Sequence, residues 1–220
     1  MKRFLPMLLA AVFALGLTLV GTRPASAHQP FFEDTPFSAD SPFVVRDPSV
    51  STAVYATLDT PTDKDYFVFE GRAGDNILLE MTIPQIVGQD NFAPTIALMG
   101  PGLPAAELPA GMATPDNASG AIILSPPSGE PRTFFEPFSR TSYWRRQSER
   151  VTLSADGRYT VAVWDPAGRV GRYVFVIGDK EIPGGDLAFP LKMRRYWTPL
   201  PASEPAPAAA QQSARDTWWR

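Results

Sequence analysis

The chain has 220 residues, with 20 Lys and Arg against 23 Asp and Glu, one His and no Cys. The acidic balance argues against nucleic acid and against anionic membrane surfaces as main partners. The missing cysteines exclude thiol catalysis, thiolate metal sites and disulfides, and a single His28 leaves hydrolytic chemistry to carboxylates alone.

The N-terminus pairs Lys2 and Arg3 with an apolar run from Phe4 to Val20, then Pro24-Ala25-Ser26-Ala27. A basic region, an apolar region and small residues at a cleavage site predict a signal peptide over residues 1–27, removed after Ala27. The protein is then expected in the periplasm or secreted, with membrane association peripheral at most. The rival reading is a retained anchor, because about 17 apolar residues lie at the low end for spanning a bilayer. Cleavage leaves 193 residues, 17 basic against 23 acidic, and makes His28 the first of them. A terminal His chelates copper only with further nitrogen ligands, and the chain has no second His.

Beyond Ala27, alternation of period two predominates and no helical period is sustained. Val50, Thr52, Val54, Ala56 and Leu58 alternate with Ser51, Ala53, Tyr55 and Thr57, and a turn over 59–63 leads into a strand at 66–70. A second turn at 71–75 precedes Ile77, Leu79, Met81 and Ile83 on one face. A fourth run spans 95–99, and the Pro- and Gly-dense stretch from Gly100 to Gly120 excludes long regular structure there. Short strands are expected at 121–124 and 149–153. A hairpin then pairs Tyr159, Val161 and Val163 with the run 171–178 across Asp165-Pro166-Ala167-Gly168. About seven to nine short antiparallel strands predict an all-β, jelly-roll-like β-sandwich.

Residues 179–199 form a strap, either a short helix over 187–197 or an extended segment, with Phe189, Leu191 and Tyr196 or Trp197 packed inward. The Pro/Ala-rich composition of 200–220 predicts a disordered tail. It ends in Trp218-Trp219-Arg220, which reads either as a docking element or as a frayed terminus.

Asp63-Lys64-Asp65-Tyr66-Phe67-Val68-Phe69, then Ala73-Gly74-Asp75 with Ile77 and Leu79, resembles the entry strands of bacterial pre-peptidase C-terminal (PPC) domains. Gly157-Arg158-Tyr159-Thr160-Val161 with Gly171-Arg172-Tyr173-Val174-Phe175 resembles that family's closing hairpin. The resemblance covers residues 50–178 and implies a non-catalytic jelly-roll-like sandwich of exported proteins, some of which bind calcium and extracellular polymers. The chain departs from the pattern in lacking a catalytic domain and in inserting a long loop, residues 100–148. Residues 82–85 and 135–138 look like those of stand-alone exported bacterial proteins, for which the resemblance carries a fold and no activity.

Two constellations could carry function. Asp63, Asp65 and Asp75 lie at consecutive turns, where carboxylates suit calcium; the resemblance implies the same for the first pair, and Asp40 or Asp47 could contribute. The alternative is that these aspartates make local turn bonds. In the insertion, Arg132, Phe134, Phe138, Arg140, Tyr143 and Trp144 combine aromatic planes with guanidinium groups, as carbohydrate and peptide sites do, with Phe135, Glu136, Arg145, Arg146 and Arg150 close by. Such aromatics also anchor a long loop to a core. Glu70, Glu80, Glu130 and Glu136 would have to converge to form a glycosidase-like pair, and no flanking pattern supports it. The expectation is an exported, non-enzymatic binding or accessory module for a protein or polysaccharide partner, with no required cofactor and calcium as the candidate stabiliser. The alternatives are an envelope-associated structural protein and a carboxylate-dependent hydrolase.

Overall fold

A computed structural model describes residues 28–200 apart from Phe138. The expected alternation becomes strands: β1 (Gln29–Phe32), β2 (Phe43–Val44), β3 (Thr52–Leu58), β4 (Asp65–Gly71), β5 (Asn76–Pro84), β6 (Thr95–Gly100), β7 (Gly120–Leu124), β8 (Arg132–Glu136), β9 (Thr141–Thr152), β10 (Gly157–Trp164) and β11 (Gly171–Ile177). They form a sandwich of two sheets, six-stranded β1-β3-β11-β5-β9-β8 and five-stranded β2-β4-β10-β6-β7. β10 and β11, expected as a hairpin, therefore lie in opposite sheets, and the turn at 165–168 crosses between them. All pairings are antiparallel except β1 with β3 and β2 with β4. Both sheets are therefore mixed, because the N-terminal segment lends one short parallel strand to each.

Side chains two apart on each strand share a face. Val54, Ala56 and Leu58, then Phe67 and Phe69, then Ile77, Leu79, Met81 and Ile83 meet Ile96, Leu98, Val161, Val163, Phe175 and Ile177 between the sheets. Each such side chain contributes about 1.5–3 kcal/mol by leaving water. Tyr159 fills the notch over Gly71 and Gly100, where an added Cβ at either glycine would meet its ring.

Residues 100–148, expected as a long loop, are irregular only in part. The run 101–119 lacks strands, but β7, β8 and most of β9 follow it and extend both sheets at one side. The strand expected at 149–153 begins at Thr141. The cause is that Thr141–Thr152 pairs along the length of β5, with a register shift between Glu80 and Thr82 that places both Arg146 and Gln147 inside. With β1 and β2 the strands number eleven among the described residues.

The strap resolves as a helix, α1 (Phe189–Tyr196), with Pro190 in its first turn and Arg194 and Arg195 in its last. Phe189, Met193 and Tyr196, at helical spacing, pack on Ala53, Tyr55, Val174 and Val176 of the outer face of the six-stranded sheet. Leu191, expected inward, is 74% exposed, and Met193 takes the buried position. No described helix is long and apolar enough to cross a membrane.

Candidate functional site

The outer face of the six-stranded sheet is only partly covered by α1, and beside the helix it holds a groove of about 180 Å³. Ala53, Leu78, Thr82, Val174 and Val176 form its floor, Tyr55, Tyr143 and Phe134 its walls, and His28, Glu80, Glu136 and Arg145 its rim. The strand period explains the selection. In the β8–β9 pairing Phe134 lies opposite Tyr143 and Arg132 opposite Arg145, so these four share the outer face, whereas Trp144 turns inward and packs against the core.

The walls are held by their own contacts. Phe134 stacks on Tyr143 with ring centroids 5.5 Å apart, and the Arg145 guanidinium lies 4.8 Å above the Phe134 ring. The Tyr143 hydroxyl sits 3.2 Å from Ser139 Oγ. Burial pushes the phenols of Tyr55 and Tyr143 above the ordinary tyrosine range. On the rim, Arg145 approaches Glu80 at 3.4 Å, and the Ser148 hydroxyl donates to the same carboxylate at 2.8 Å. His28 Nδ1 is 2.5 Å from Ser51 Oγ.

Of the aromatic-arginine set, the groove takes Phe134 and Tyr143. Arg132 is exposed on the same face at the sheet edge. Arg140 occupies the β8–β9 turn with φ 53° and faces a separate cleft of about 350 Å³ against Phe189, Pro190 and Met193. Phe138 lies outside the described residues. The groove also recruits Leu78, Val174 and Val176, which sequence reading assigned only to strands. Their signal was present, since each alternates with a core residue and so had to face outward.

The aspartates divide. Asp65 heads β4 and Asp75 follows its far end, about 20 Å away for seven extended residues. Asp75 Oδ2 accepts the Arg72 N–H at 2.9 Å, a turn bond, beside an open cleft of about 690 Å³ where Asp47 and Asp156 likewise accept backbone N–H groups of Ser49 and Ala73. Asp63 accepts from the N–H groups of Asp59 and Lys64, both at 2.8 Å. Asp65 is 1% exposed and meets Glu33 between the sheets. Glu33 in turn accepts the Thr57 N–H at 2.8 Å and the Phe37 N–H at 3.3 Å. Desolvation, reinforced by Asp59 and Asp63, pushes Glu33 up to about 7; desolvation, reinforced by Glu33, pushes Asp65 up to about 9. Among the described residues no three His, Asp or Glu side chains are grouped so as to hold a metal ion. Glu80 and Glu136 share the groove rim, while Glu70 lies on the other sheet.

No protein-family model matches the sequence, and no curated protein matches it. Several solved structures are similar, among them the following three. PliG of Salmonella Typhimurium, a periplasmic inhibitor of g-type lysozyme, is 18% identical over 62% of this chain and 97% of its own, with a TM-score of 0.36. PliG of Aeromonas hydrophila is 12% identical over 69% of this chain and 98% of its own, at 0.37. The PPC domain of a Bacillus anthracis collagenase is 12% identical over 66% of this chain and 98% of its own, at 0.34. This last is the domain type that the motifs at 63–79 and 157–175 resemble.

Proposed function

We propose that this chain is an exported, non-enzymatic binding module that seats an apolar side chain of a protein partner in the groove beside α1. The observation that carries the reading is the groove itself, an apolar floor of Ala53, Leu78, Val174 and Val176 with Glu80 and Arg145 on its rim. Its volume of about 180 Å³ lies below the roughly 300–1,000 Å³ of small-molecule sites and suits a single anchoring side chain. A protein is favoured over a polysaccharide because the aromatic faces are taken. Phe134 is stacked on Tyr143 and approached by Arg145, so the ring that walls the groove is already engaged by the chain's own side chains.

Leu78 is half-buried and lines the groove, so Leu78→Glu places a carboxylate on its floor. The test passes exported proteins and a panel of bacterial polysaccharides over the immobilised chain and over this variant. Retention of a defined protein that falls at least about tenfold with Leu78→Glu supports the reading. Retention of a polysaccharide by both forms, or of nothing, overturns it. Calcium, expected at Asp63, Asp65 and Asp75, is tested separately, since no three carboxylates among the described residues are grouped for a metal. A melting midpoint raised by calcium and restored by chelator supports it, and an unchanged midpoint removes the metal.

A further inference from the structure

β8 is an edge strand. Among the described residues it pairs with β9 alone, and its other side is open. Open edges are usually blunted by lysine, proline or a covering segment. This one carries no lysine or proline within Arg132–Glu136, and Phe135 on it is 59% exposed. Pro131 and Pro137 flank it, and neither has an N–H to donate, so the edge is a window of five residues.

The residues in that window are complementary to themselves. Run antiparallel against its own copy with Phe134 at the centre, Arg132-Thr133-Phe134-Phe135-Glu136 sets Arg132 opposite Glu136 at both ends. Phe134 then meets Phe134, and Thr133 meets Phe135 on the reverse face. Opposite charges, paired aromatics and an aromatic facing a β-branched residue are the favourable cross-strand pairs, each about 0.2–1 kcal/mol. A parallel arrangement sets like charges side by side, and a two-residue slip loses both ion pairs, so the charges select one register. Glu136 accepts the Ser139 N–H through Oε2 and is further engaged in the fold, so Arg132 of the second copy joins contacts already made, which the several lone pairs of a carboxylate allow.

We propose that the free edge of β8 is a self-association surface, on which a second copy of this chain pairs antiparallel about a two-fold axis through Phe134. The pairing joins two six-stranded sheets into one and covers Phe135. Because Phe134 and Glu136 also line the groove, the two grooves come to lie on the same face of the joined sheet, where a partner with two matching sites gains avidity. The proposal does not depend on what the groove holds. A five-residue edge covers less than the roughly 800 Å² per partner of a standard interface, so the dimer is a concentration-dependent one.

The test is sedimentation velocity on the full chain as exported, across roughly three decades of concentration from micromolar to millimolar. A monomer–dimer equilibrium is expected. Arg132→Glu, at an exposed position, weakens it about tenfold or more by setting glutamates opposite each other. The exchange Arg132→Glu with Glu136→Arg restores it to within about threefold of the parent. Phe135→Lys, which leaves Glu136 untouched, abolishes it and keeps the test decisive if the exchange fails to fold. A monomer at every concentration, or a dimer indifferent to both Arg132→Glu and Phe135→Lys, overturns the proposal.

Discussion

The Tyr173 hydroxyl, on β11 of one sheet, donates a 2.5 Å hydrogen bond to Oδ2 of Asp65, on β4 of the other. The two sheets are thus tied through a carboxyl that is 1% exposed and that also hydrogen-bonds Glu33. Both acids are raised above their ordinary values of 3.8 and 4.5, chiefly by desolvation. The folded chain therefore holds protons that the unfolded chain has released, and stability falls as pH rises from about 4 toward the folded values. The urea midpoint is expected to drop between about pH 5 and about pH 8. Asp65→Asn, neutral at every pH and able to donate to Glu33, flattens that slope. A midpoint that rises over this interval would show that the pair is ionised in the fold.

Gly100 is required by its neighbour rather than by its backbone angle. A Cβ there would overlap the ring of Tyr159, which is fully buried and anchored by its hydroxyl on the carbonyls of Pro101 at 3.0 Å and Ala155 at 2.8 Å. Gly100→Ala is expected to cost about 1–3 kcal/mol in chemical denaturation, as overpacking does. Combined with Tyr159→Leu, the loss is less than the sum of the two, since the same overlap is removed twice.

Arg146 holds the β5–β6 connection from beneath. Its Nε donates to Phe92 O at 3.0 Å and a terminal nitrogen donates to Asp90 O at 2.6 Å. Arg146→Ala leaves two carbonyls without their charged donor, at about 1.5–3 kcal/mol for each such bond before relaxation. Hydrogen exchange is expected to accelerate across residues 86–93 first. Arg146→Lys does not restore protection, because a point charge cannot reach both carbonyls as the guanidinium fork does.

Met193 and Leu191 lie two residues apart on α1 with opposite expectations. Met193 is 7% exposed against Tyr55 and Val176, and Met193→Ala costs about 2–3 kcal/mol. Leu191 is 74% exposed, and Leu191→Ala stays within about 0.5 kcal/mol of the parent. Thermal denaturation of the two variants side by side checks the placement of the helix.

Much of the sandwich was legible because alternation is local. The inward faces of β3, β5, β10 and β11 follow from period two and from the turns at 59–63, 71–75 and 165–168. Of the edge strands, β7 was expected at 121–124, but β1, β2 and β8 were not. β1, β2 and β8 are short and partly exposed, so their residues carry no clean alternation, and only a neighbouring strand makes them strands. The aromatic-arginine segment was singled out as a unit, yet the structure divides it, with Trp144 in the core and Tyr143 and Phe134 along the groove. Spacing separates their faces, but it does not say which face is inside.

By itself, the sequence determined an acidic, cysteine-free, all-β chain, because composition and period two are properties of the chain alone. Tertiary structure decided that Glu33 and Asp65, 32 positions apart, share one buried site. It also decided that Leu78, Phe134, Tyr143 and Val176 line one groove, and that β8 presents an open, self-complementary edge. Those relations depend on strand order across two sheets, which is set by long-range pairing and by burial that no local pattern encodes.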